Sequence, residues 1–231
     1  MEYLVYIAFV AAVIFAFVAQ IKVSSTFARY SRVATRGGFT AEQVARRLLD
    51  SEGLFDVKIE RTHGHLSDHY DPRTKVLRLS DSTYGNASAA AIGVACHEAG
   101  HAIQDAKHYA PLALRSLLVP VTSFASRTWW LLLLLGTLLM SLGAALGAGM
   151  MLFSIGLFAF ITLFQLVTLP CELNASARAM AGMRTMGYFT GDELSGARRV
   201  LTAAAMTYVA SALVSLLQLL RLILIFRRND R

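Results

Sequence analysis

Charge is scarce in this sequence. Asp, Glu, Lys and Arg make up 16% of its 231 residues, against 55% for the hydrophobic set. That balance is too apolar for an ordinary soluble domain. The scarcity is also uneven. Residues 3–21 carry no charged side chain, and residues 128–171 carry no Asp, Glu, Lys or Arg. A bilayer core of ~30 Å takes about 20 apolar residues per helix, so the first run predicts one span and the second predicts two. A fourth run, 206–226, is broken only by Arg221, near enough to its end for the side chain to snorkel. No basic residue precedes the first run: Glu2 comes before it and Lys22 after it. A secretory signal puts its positive charge first, so this segment reads as a retained anchor. Cysteine is nearly lacking too. Cys96 and Cys171 are the whole set, which excludes a disulfide framework and fits a reducing compartment.

The net charge is +7, yet no nucleic-acid motif or aromatic-interleaved basic stretch accompanies it. The basic residues cluster beside the apolar runs instead: Lys22, Arg29, Arg32 and Arg36 after the first, Arg115 and Arg127 before the second, Arg178 and Arg184 after the third. This is the positive-inside pattern of a membrane protein. It divides the chain into a first transmembrane helix (1–21), a polar block (22–127), a transmembrane hairpin (128–171), a second polar block (172–205), and a last transmembrane helix with a basic tail (206–231). The basic cluster after the first span predicts that both polar blocks face the cytoplasm of a multi-pass protein of the cell membrane. The last span would then place "RRNDR" outside, against the trend; either that short tail is tolerated or the last helix does not fully cross.

Within the first polar block, Thr40 and Gln43 form a capping box for a helix with apolar Val44, Leu48 and Leu49, stopped by Gly53. Residues 56–61 and 75–80 alternate apolar with polar, as strands do. "DHYDPRT" between them reads as a turn, so a small hairpin or meander is expected. Asn86 or Ser88 then caps an alanine-rich helix. In the hairpin the junction is expected near 147–150, with "GAALG" as a small-xxx-small packing element. Pro170 should end the third span, residues 172–186 look helical, and "GYFTGDE" reads as a turn with Thr190 and Glu193 as a second capping box. The fold class is mainly α, with a small α+β element carrying a zincin-like helix at the membrane face.

That helix contains "VACHEAGHAIQ". Residues four apart share one helix face, so His97 and His101 can aim two imidazoles at one metal. Zinc takes His nitrogens and, in a hydrolytic site, keeps a position open. Glu98, next to His97, is placed to act as general base. Gly100 lies between the ends and leaves room near the metal. A third ligand must come from elsewhere, because Asp105 and His108 do not match metzincin spacing. The later carboxylates are Glu172, Asp192, Glu193 and Asp230. Glu172 stands out: it follows the uncharged run directly, and a hairpin returns it to the side of the two histidines. The competing reading is an interfacial glutamate at a helix N-terminus.

"LSDHYDPRTKVLRLS", "ACHEAGHAIQDA" and "LPCELNASARA", in that order, resemble the YugP-type neutral zinc metallopeptidases of bacterial membranes over nearly the whole chain. The layout is also similar to that of HtpX-like membrane proteases, where a transmembrane hairpin separates the two-histidine helix from a glutamate ligand. The resemblance implies a gluzincin-like site, with His97, His101 and Glu172 on one zinc ion and Glu98 as catalytic base. It departs at Asn174, where the family pattern has aspartate. Asparagine can still accept a hydrogen bond from a ligating imidazole, but it brings no charge to raise ligand basicity. Ser176 is another candidate for that partner, and Arg178 lies near it in sequence.

Asp68, His69 and Asp71 are candidates to line the site or simply to make a solvated turn. His63, His65 and His69 alternate in a loop, which is weak support for a second metal. Cys96 and Cys171 each precede a proposed ligand, although small buried residues are their default. Tyr84, Tyr188 and Arg178 are candidates for stabilising an oxyanion, and Tyr188 for lining the site. The strands offer an edge for an extended substrate. The expected activity is zinc-dependent endopeptidase cleavage of peptides or membrane proteins, with the lipid bilayer as partner and no nucleic acid. Oligomerisation stays open. So do two other classes: a catalytically silent zinc-binding membrane adaptor, and a membrane transport component. The spans' lack of ionisable residues argues against the last.

Overall fold

A computed structural model describes residues 2–229. In chain order the elements are α1 (Glu2–Tyr30), α2 (Ala41–Ser51), β1 (Lys58–Thr62), β2 (His69–Asp71), β3 (Val76–Ser80), α3 (Ala89–Ala106), α4 (Ala110–Ser141), α5 (Leu146–Met186) and α6 (Gly191–Asn229). Helices α1, α4, α5 and α6 are each long and apolar enough to cross a membrane. On α1, Tyr3, Leu4 and Phe17 are all more than two-thirds exposed. A helix that turns such side chains outward has an apolar surface, not water, as its natural surroundings.

The chain divides into two compact units. One comprises residues 1–18, 114–169 and 208–231; the other comprises 19–113 and 170–207. The first unit is apolar. Met151, Ile155, Phe158 and Leu222 form its core, with Trp129 and Leu133 packed against them. Helices α4 and α5 meet closely at their glycines: a Cβ on Gly136 would lie 2.8 Å from the Met151 amide nitrogen, and one on Gly147 would strike the Met140 backbone. The turn between them is residues 142–145, earlier than the expected 147–150. Gly143 takes a positive φ of 75° there, so the first glycine of "GAALG" makes the turn and only the second packs. Helix α4 also begins at Ala110, well before 128, because Arg115 and Arg127 lie inside it and interrupt only the uncharged run, not the helix.

The second unit holds the polar chemistry. Its core runs from Val44, Leu48 and Leu49 of α2 through Leu77 and Leu79 of β3 and Ile92 and Ile103 of α3 to Met183 of α5 and Leu201 of α6. The expected caps are present. The Thr40 amide donates to Gln43 Oε1 at 3.2 Å, and Ser88, not Asn86, accepts from the Ala91 amide at 3.2 Å. The Thr190 amide donates to Glu193 Oε2 at 2.7 Å. The sheet order is β1-β3-β2. The two expected strands pair side by side in parallel, and the hairpin is made by β2 with β3. β2 arises inside the segment read as a turn. With only three residues, it is too short for its alternation to register. Pro170 does not end a helix: α5 runs through it to Met186.

Candidate metal centre

Two helix faces build the site. On α3, His97, Gly100, His101 and Gln104 lie at helical spacing on one stripe. On α5, Glu172, Ala175, Ser176 and Ala179 do the same. The stripes meet at Gly100, where an added Cβ would lie 2.6 Å from the Ala175 carbonyl oxygen. Gly100 therefore admits the backbone of α5, rather than leaving space for a metal. This approach brings Glu172 to the histidines. Its Oε2 is 3.0 Å from His97 Nε2 and 3.5 Å from His101 Nε2. The two imidazole planes stand at 84°, centroids 4.8 Å apart. One donor atom from each of the three residues lies within 4.8 Å of the others. Among the described residues this is the single such group of three or more His, Cys, Asp or Glu.

The outer nitrogens of both rings are held. His97 Nδ1 lies 3.1 Å from Ser176 Oγ. His101 Nδ1 lies 2.9 Å from Gln104 Oε1, and the protonation there follows from the network. Gln104 Nε2 donates to the Cys171 carbonyl at 2.8 Å and to Asn174 Oδ1 at 3.0 Å. A carbonyl only accepts, so the amide orientation is fixed and its oxygen faces His101. An amide oxygen also only accepts, so His101 Nδ1 carries a hydrogen and Nε2 is the nitrogen turned towards Glu172. Burial opposes a charge on His101, but hydrogen bonds to Cys171 and Glu172 and the charges of Glu98 and Glu172 outweigh it. Its pKa is pushed up to about 10.

Asn174 accepts from Gln104 and, at 2.7 Å, from Arg178 Nε. Its partners are thus an amide and a guanidinium, not an imidazole. Ser176 is the residue that touches a ring directly. Gln104 went unnoticed in the sequence. Its signal is position alone: one turn beyond His101, on the stripe that begins at His97.

Glu98 is half-buried, beside the group but outside it, and its Oε2 accepts the Tyr70 amide of β2 at 3.1 Å. Tyr70 Oη in turn donates to Asp105 Oδ2 at 2.9 Å. Burial and that bond raise the phenol's pKa well above its usual value. The other sequence candidates are engaged elsewhere. Asp68 accepts the Ser80 amide and hydroxyl, both at 2.8 Å. His69 Nδ1 is 2.9 Å from the Ser67 carbonyl. Asp71 accepts from the Arg73 amide and the Thr74 hydroxyl in the turn. Tyr188 is exposed and lies against Phe39 and Arg47. The alternating histidines separate, His63 towards Asp81 and His65 against Phe27. Cys96 and Cys171 are buried free thiols outside the donor group.

Two imidazoles and a carboxylate fit a borderline-soft divalent ion such as zinc. The Glu172 carboxylate is only 2% exposed, and its charge faces the two imidazoles. A family model described as "Putative neutral zinc metallopeptidase" matches residues 5–227. "Putative membrane protease YugP" of Bacillus subtilis (strain 168) is 48% identical over 217 residues, which cover 94% of this chain and 94% of that protein. No solved structure matches.

Proposed function

Since the chain belongs to the family described as "Putative neutral zinc metallopeptidase", we propose that it is a membrane zinc endopeptidase in which His97, His101 and Glu172 hold the metal and Glu98 is the general base. The observation that carries this reading is the convergence of His97 Nε2, His101 Nε2 and Glu172 Oε2 from two helices. A zinc ion held there supplies Lewis acidity, polarising a carbonyl and acidifying water. The chain's own residues do the rest. Ser176 and Gln104 fix the two imidazoles so that both Nε2 atoms face Glu172. The Tyr70 amide holds one oxygen of Glu98. The Glu98 carboxylate takes a proton from the attacking water and passes it to the departing amine nitrogen. β2 is an edge strand, and an extended peptide can add beside it.

We place the long helices across the cell membrane in several passes, with the 22–127 and 172–205 blocks cytoplasmic. The basic residues after α1's apolar run support this. The tail's Asp230 and Arg231 lie outside the described residues. The substrates in this reading are peptides or membrane proteins.

The test is Glu98→Gln in the full chain. The variant should keep its zinc and lose proteolysis by about 10²-fold or more, read from metal content and cleavage of a peptide library. Undiminished cleavage would remove Glu98 from the mechanism. Wild-type protein that binds zinc but cleaves nothing would instead support a silent adaptor.

A further inference from the structure

The second unit contains a groove that the peptidase reading leaves unused. It has a volume of about 580 Å³ and is lined by α1 and α6. From α1 come Lys22, Ser25, Thr26 and Arg29, spaced to share one face. From α6 come Ser195, Arg198, Arg199 and Thr202 on a matching face, followed by Ala203 and Met206. The two helices run in opposite directions past each other: Phe27 packs with Val200, and Tyr30 lies where a Cβ on Gly196 would meet it at 2.8 Å.

Four cations line this groove and no carboxylate does. Lys22, Arg29, Arg198 and Arg199 make no ion pair among the described residues. The neighbouring acid on α6 that turns inward, Glu193, is taken by the Arg36 and Thr190 amides. Five hydroxyl-bearing side chains stand among the cations, Ser25, Thr26 and Tyr30 on α1 and Ser195 and Thr202 on α6; the Ser25 hydroxyl donates to the Lys22 carbonyl at 3.2 Å. Guanidiniums and hydroxyl donors lining one groove are the chemistry that holds a phosphate.

The position on each helix identifies the phosphate's carrier. Lys22 is the first charge after α1's apolar run, and Arg199 is the last before α6's apolar run, which begins at Met206. Both helices therefore change from charged to apolar at the same end of the groove. Ile21 and Met206 are exposed there, 68% and 37%, and offer apolar surface to an acyl chain. We propose that the groove binds the headgroup of an acidic phospholipid, its phosphate on Arg198 and Arg199 and its chains leaving past Met206. Basic pockets beside membrane helices recognise headgroups in this way. The proposal goes beyond the peptidase reading and does not depend on it.

The experiment uses full-length protein in a neutral detergent, titrated with phosphatidylglycerol, phosphatidylcholine or inorganic phosphate and read by native mass spectrometry. Phosphatidylglycerol should bind in preference to phosphatidylcholine. The double variant Arg198→Gln/Arg199→Gln should weaken it on the order of tenfold, and Lys22→Gln should weaken it in the same direction. Arg184→Gln/Arg227→Gln removes two exposed cations outside the groove and should leave binding unchanged. Equal loss in both double variants would reduce the site to diffuse charge and overturn the proposal, as would indifference between the two lipids. Displacement of the lipid by millimolar inorganic phosphate would assign the groove to free phosphate instead.

Discussion

Gln104 does two jobs with one amide. Its oxygen sets the tautomer of His101, while its nitrogen ties the same helix to the Cys171 carbonyl and to Asn174. Partners of ligating imidazoles are worth about 10–100-fold in metal affinity. Gln104→Leu should therefore bind zinc more weakly by that order, measured by competition with a coloured chelator, with Glu98 still able to act once zinc is saturating. Undiminished affinity would make the amide a packing group. Cys96 invites a different measurement. Burial pushes its thiol up to about 12, so at pH 8 only about one part in ten thousand is thiolate. Both cysteines are buried, and folded protein should resist iodoacetamide until denatured; rapid labelling of Cys96 in the folded state would contradict that burial. The sequence exposes His97, Glu98 and His101 because their spacing is local. Gln104 stays hidden because an uncharged side chain one turn further along matches no motif. Asn174 reads as a weak point there, yet both of its contacts are ones an aspartate would also make as an acceptor.

Helices α3 and α5 owe their approach to one missing methyl group. Gly100→Ala would put a Cβ within 2.6 Å of the Ala175 carbonyl, and backbone cannot rotate aside as a side chain can. The helices must separate or shift, at a cost of about 1–3 kcal/mol for overpacking. The distance between Glu172 and the two imidazoles should grow with them. We expect lower thermal stability together with at least tenfold weaker zinc binding, whereas Gly149→Ala, which meets nothing within 4 Å, should change neither. Equal behaviour of the two variants would show that the approach does not depend on Gly100. The caps of α2, α3 and α6 were readable because each is a contact between neighbours in sequence. The partner of β1 was not, because pairing across a crossover leaves no local mark. Pro170 misled for the same reason: a proline reports the loss of one backbone hydrogen bond, while the packing of Ala175, Ala179 and Met183 that keeps α5 helical beyond it lies elsewhere in the chain.

The core of the second unit joins α2, α3, β3, α5 and α6. A metal that binds only the folded chain adds stability by mass action. Chelation should lower the unfolding temperature of the wild-type protein in detergent. In Glu172→Ala, which should hold little zinc, the same chelator should have no effect. A wild-type unfolding temperature indifferent to chelator, with metal demonstrably removed, would separate the site from the fold. The uncharged run made Glu172 a candidate at the level of sequence, but which atoms face one another could not be read without the meeting of two helix stripes. The spacing between those stripes also sets a clock. His97 and Glu172 are 75 residues apart, so a ribosome working at about 5–20 residues per second takes on the order of 4–15 s between them. During that interval the nascent chain has Glu98 and the two histidines but not the third proposed ligand. On the proposed reading the site stays inert until the long uncharged run and the glutamate after it have been made.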